Sequence, residues 1–147
     1  MYEEYPFEIT EYYSPSLNSL KRIYTQHPKF NGNTRLIYEL LFDHWNAKTG
    51  YAYPTIYELA RESGLSTKSV KNQIKTLIEL GLIRKERTRV NGRINDVYYI
   101  LPPVTTIDEF YKKFPDVKTQ AEARLERINY EEKKDKERLG KSRVSSE

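Results

Sequence analysis

The chain of 147 residues contains no cysteine. That excludes a disulfide framework, a thiolate metal site and a cysteine nucleophile, and it favours an intracellular protein. Only two histidines occur, His27 and His44, and they have no partner at metal-ligand spacing. No window approaches the roughly 18 consecutive apolar residues of a membrane span. The start "MYEEYPFEITEYY" is acidic and aromatic, without the basic n-region and apolar run of a secretory signal. A cytoplasmic protein that makes no membrane contact is therefore expected. Glu3, Glu4, Glu8 and Glu11 read as a solvated acidic terminus rather than a carboxylate site. "RLGKS" at 138–142 lacks the first glycine and the preceding strand of a phosphate-binding loop. No Ser/His/Asp arrangement stands out either. No catalytic residue, metal or cofactor is expected, and an enzyme is disfavoured.

What is present is positive charge in one place. From Ser66 to Arg93 there are eight Lys/Arg against two Glu, a net of +6 in a chain whose total is +4. The remaining residues therefore sum to −2, and all of the excess sits in one stretch. A basic patch on a near-neutral body points to a polyanionic partner, most commonly nucleic acid. The plainer alternative is a solvated basic face.

Periodicity places that stretch on defined elements. Ser14 and Pro15 suit an N-cap and first helical position, followed by Leu17, Leu20, Ile23 and Tyr24 on one face of a helix over about 15–26. The alternation of Phe7 and Ile9 with Glu8 and Thr10 allows a short strand before it. Leu36, Ile37, Leu40, Leu41 and Trp45 recur at helical spacing, with Gly50 beyond them. Thr55 and Glu58 have capping-box spacing, and Ile56, Leu59 and Ala60 would face inward before Gly64 ends that helix. Ser66 caps the next, with Val70, Ile74, Leu77 and Ile78 inward. "LIRKERTRVNGRINDVYYIL" is a strand, an Asn91-Gly92 turn and a second strand, because both turn residues tolerate positive φ. Pro102-Pro103 ends the sheet. Ile107, Phe110, Tyr111 and Phe114 suit a short helix, and Val117, Ala121, Leu125 and Ile128 give a narrow stripe on a longer one. The expected divisions are an N-terminal extension at 1–30, a compact domain at 31–101, a helical extension at 102–139 and a disordered tail at 140–147.

Helix, tight turn, helix and basic hairpin is the order of a winged helix-turn-helix, so the fold class is mainly α with a β-hairpin wing (α+β). An extra N-terminal helix and a C-terminal helical extension flank it. The run "YPTIYELARESGLSTKSVKNQIKTLIELGLIRKE…NGRINDVYYIL" resembles the helix-turn-helix module of replication and regulatory proteins in Gram-positive plasmids and phages. The likeness covers about residues 33–101, and such modules bind duplex DNA.

In this architecture the N-terminal turns of the second helix, about 66–80, meet base edges in the major groove. At about 100° per residue, Lys68, Asn72 and Lys75 lie opposite the Val70/Ile74/Leu77 face, with Lys71 flanking them and Thr67 at the start. Thr67, Lys68, Lys71 and Asn72 are the candidates for base contacts, since Asn pairs with adenine and Lys donates to guanine. Ser66, Lys75, Arg84, Lys85, Arg87, Arg89 and Arg93 are the candidates for the phosphate backbone. Period-2 alternation puts Lys85, Arg87 and Arg89 on one wing face. An exposed hairpin edge uses charge to avoid aggregation, but that explains two or three such residues, not five basic to one acidic within ten positions.

A sequence-specific double-stranded DNA-binding protein follows, for replication initiation or transcriptional regulation, with a homodimer expected because one winged helix reads few base pairs. Its interface would be the Val117–Ile128 stripe or the 15–26 helix, unless these pack on their own chain. Replication or transcription machinery would be a further partner. The competing reading is a replisome or primosome adaptor whose winged helix serves self-association, for which the basic helix and wing have no use.

Overall fold

The computed structural model describes residues 5–146, with 141–146 as backbone only. Among the described residues, six α-helices and a two-stranded antiparallel hairpin run in the order α1 (Asn18–Arg22), α2 (Gly32–Asp43), α3 (Ile56–Ser63), α4 (Thr67–Glu79), β1 (Ile83–Val90), β2 (Arg93–Ile100), α5 (Ile107–Lys113) and α6 (Val117–Ser146). The class is the α+β layout expected. Two compact units emerge, one of Met1–Leu17 and Asn33–Pro102, the other of Asn18–Gly32 and Pro103–Glu147. Consecutive division by sequence therefore misses that the α1 segment groups with α5 and α6.

In the first unit, α2, α3 and α4 close on a core of Ile37, Tyr38, Leu41, Leu59, Val70, Ile74, Leu77 and Leu82. The α3 helix starts at Thr55, whose hydroxyl accepts from the Glu58 N–H at 3.0 Å. It ends at Gly64, whose φ of 76° lets the chain turn directly into α4 without a Cβ clash. Ser66 caps α4 by accepting from the Ser69 N–H at 3.1 Å. The hairpin pairs Ile83 with Ile100 through to Val90 with Arg93. Asn91 and Gly92 both have positive φ, the conformation a two-residue hairpin turn of this hand needs.

Two contacts lock the hairpin to the helices. Ala52 exchanges both backbone hydrogen bonds with Tyr98, at 2.9 and 2.7 Å, so one residue of the α2–α3 connection acts as a third rung. The Tyr38 hydroxyl donates to the Leu101 carbonyl at 2.9 Å. Trp45, expected on the apolar face of α2, is instead exposed, because α2 stops at Asp43. Thr34 takes a buried place, its hydroxyl donating to the Gln73 side-chain oxygen at 2.6 Å. Ile78 is exposed rather than inward. No strand forms near Phe7, whose ring is exposed.

The second unit is built on aromatic rings. Tyr24 packs edge-on against Phe110 with centroids 5.2 Å apart, and Phe110 meets Phe114 at 5.0 Å. The Tyr24 hydroxyl accepts from the Val104 N–H at 3.1 Å, and burial pushes its pKa above the ordinary value despite that bond. The first helix begins at Asn18 rather than Pro15. Ser16, in the first unit, donates its hydroxyl to the Glu39 carboxylate of α2 at 2.5 Å. A 3-10 turn at Tyr24–Gln26 ends this segment. Among the described side chains of α6 only Val117 and Ala121 are buried, and every residue from Glu122 to Gly140 is exposed. The tail expected to be disordered is helical from 140 to Ser146. Before it, Lys136 pairs with Glu132 at 3.2 Å and Arg138 with Asp135 at 3.4 Å, and Gly140 costs the helix only about 1 kcal/mol. Glu147, Glu3 and Glu4 lie outside the described residues.

Candidate nucleic-acid interface

The exposed side of α4 carries the residues that periodicity placed there. Val70, Ile74 and Leu77 are buried, while Thr67, Lys68, Lys71, Asn72 and Lys75 are all exposed. The buried stripe fixes the rotation of the helix, and the rotation fixes which polar side chains project. Ser66 spends its oxygen on the Ser69 N–H at the helix cap, which leaves its hydroxyl hydrogen and the N–H groups of Thr67 and Lys68 for an anion. Glu79 is exposed at the opposite end of α4.

The strand register sorts the wing into two faces. One carries Lys85, Arg87 and Arg89 on β1 with Ile94, Asp96 and Tyr98 on β2. The other carries Arg84, Glu86 and Thr88 with Tyr99, Val97 and Asn95. Arg84 therefore parts from the other basic residues. Its guanidinium lies 4.3 Å from the centre of the Tyr99 ring and pairs with Glu86 at 3.0 Å, which makes it a packing residue of the far face. Arg93, opposite Val90 beside the turn, shares that far side. Lys85, Arg87 and Arg89 are the three brought together.

Between this face and the helices lies a cleft of about 290 Å³, lined by Tyr53, Tyr57, Thr67, Lys71, Arg87 and Asp96 among others. A smaller one of about 150 Å³ adds Lys85 and Ile74 to Lys71 and Asp96. Lys71 and Thr67 thus point toward the wing, while Lys68, Asn72 and Lys75 continue along the exposed face of α4. Tyr98 closes the floor, and burial together with the nearby Asp96 carboxylate pushes its pKa to about 12. It stays a neutral phenol at any ordinary pH.

Sequence reasoning missed Tyr53, Tyr57 and Asp96. Tyr57 is 66% exposed at the cleft. Its position one residue inside a capped helix was the available signal. Asp96 becomes relevant only through register, which sets it directly opposite Arg87. His44 pairs with Glu62 at 2.7 Å. Among the described residues no group of three or more His, Cys, Asp or Glu could hold a metal ion.

In comparison with known families, residues 30–83, which include the two helices joined at Gly64, fit the model of a helix-turn-helix domain. Residues 30–83 form a helix-turn-helix domain. The match spans α2, α3 and α4 and stops at the first residue of β1, so the wing follows the helix-turn-helix domain as an addition to it. No curated protein matches the chain. Among the described residues no helix is long and apolar enough to cross a membrane.

Proposed function

We propose that this chain is a sequence-specific double-stranded DNA-binding protein of the cytoplasm that acts by occupying sites and recruiting other proteins, with no reaction of its own. One observation carries the reading. Thr67, Lys68, Lys71, Asn72 and Lys75 are exposed on α4, and the wing face that carries Lys85, Arg87 and Arg89 lines clefts shared with Lys71 through Arg87 in the larger and Lys85 in the smaller. A solvated surface has no need to place a capped, rotationally fixed basic helix next to a basic hairpin face. The helix would enter the major groove and the wing would follow the adjacent backbone.

Replication initiation and transcriptional regulation both fit an occupancy mechanism of this kind. Two copies on a two-fold site would double the base pairs read, and the uncovered Leu125 and Ile128 of α6 offer one surface for pairing. Selection of bound sequences from a random duplex pool tests the proposal. A palindromic product supports a dimer, and tandem repeats support an origin-type array. No enrichment, together with no shift of random duplex at low salt and micromolar protein, overturns the DNA reading.

Arg89→Ala is expected to weaken specific and random duplex by similar factors. The slope of log affinity against log salt should become shallower by about 1, as one phosphate contact is lost. Titrations at several salt concentrations measure both.

A further inference from the structure

We propose that Asp96 is a specificity-determining residue of the wing, a counter-charge that keeps Arg87 from capturing DNA phosphate irrespective of sequence. The proposal rests on the DNA reading above and names a regulator of that same surface.

Asp96 stands opposite Arg87 in the hairpin, and its Oδ1 accepts from the Arg87 Nε at 3.3 Å. It is the one acidic residue among those lining either cleft between wing and helices, where it adjoins Lys71 in both, Arg87 in the larger and Lys85 in the smaller. Basic side chains that only had to hold a polyanion would be better without it. A carboxylate in the middle of them lowers the local potential where backbone phosphates would settle, and it occupies one donor of the guanidinium. Sequence-independent attraction falls, while Lys68 and Asn72, exposed on α4 and outside the residues lining either cleft, keep their full reach to base edges. Discrimination is a difference of affinities, and a group that penalises the wrong complex raises it as surely as one that rewards the right complex.

The test is Asp96→Asn, which keeps shape and an acceptor but removes the charge. Affinity for random duplex should rise by about 3- to 10-fold, and its salt slope should steepen by about 1 as Arg87 gains a phosphate. Affinity for the selected site should rise less, so that the ratio of specific to random binding falls. In an Arg87→Ala background the same substitution should lose most of its effect. Circular dichroism and a melting curve establish that both variants fold, and Asp96→Glu serves as a charge-retaining substitute if the asparagine variant does not. With that substitute, random binding and salt slope should stay at wild-type values, and a rise with the charge retained overturns the proposal. If wild type binds a selected site and Asp96→Asn leaves random affinity and salt slope unchanged, this proposal is overturned and the DNA reading stands. An effect of the same size with and without Arg87 also overturns it. A wild type that binds no duplex overturns the DNA reading, and this proposal with it.

Discussion

Leu77→Ala is expected to cost about 2–5 kcal/mol of folding stability, the range for truncating a fully buried leucine in a core that closes only partly around the void. Leu77 has no exposed surface. It is the last buried residue on the face of α4 that also carries Val70 and Ile74, and α4 packs against both α3 and β1. A cavity there loosens the joint between α4 and the wing, so DNA affinity should fall with stability. Denaturant unfolding, followed by circular dichroism and by fluorescence of Trp45, the single tryptophan, measures the loss. Ile78→Ala is the control on the neighbouring residue. Ile78 is 41% exposed, and its truncation should cost well under half as much. Equal losses at the two positions would contradict the packing of α4 described above.

Asn72→Ala should do the reverse, leaving stability intact while reducing affinity for the selected site by about 1–3 kcal/mol, roughly 5- to 150-fold. The side chain is exposed in the second turn of α4, directly across the helix from the Val70–Ile74 seam that holds the backbone in place. An amide there can give adenine a paired donor and acceptor, so its loss should relax sequence choice at one position and leave the salt slope unchanged. Repeating the selection with the variant shows which position relaxes. A uniform loss on specific and random duplex alike would reassign Asn72 to the backbone.

How far the sequence discloses this molecule depends on the range of each signal. Thr55, Gly64, Ser66 and Asn91-Gly92 act on the chain within four residues of themselves, and each begins or ends an element where expected. The α4 surface was legible for the same reason, since one turn of apolar anchors decides which side chains face out. Partnerships across the chain were not. Nothing near Ala52 announces that it pairs with Tyr98, because a bridge of one residue has no period. Likewise Tyr24 and Phe110, 86 positions apart in sequence, carry no local mark of belonging together. Arg84 shows a third case. Alternation already set it apart from Lys85, Arg87 and Arg89, but counting charge along the chain gathered it in with them. Its stacking on Tyr99 shows that the face of a strand, more than its composition, decides what a charge can reach.

The solvated length of α6 has a consequence for how the chain breathes. Docking of Val117 and Ala121 supplies the nucleus that an isolated helix struggles to form. Beyond them each further turn is held by its own backbone bonds and by pairs such as Lys136–Glu132, each worth a few tenths of a kcal/mol. Opening therefore needs no cooperative event and can start from the far end, a turn at a time. Amide hydrogen exchange along α6 should form a gradient, slowest near Ala121 and faster with each turn outward, while the amides of α4 exchange together only when their core opens. The same element would then be rigid at its root and graded in lifetime along its length, a helix whose persistence at any residue is set by distance from a single anchor.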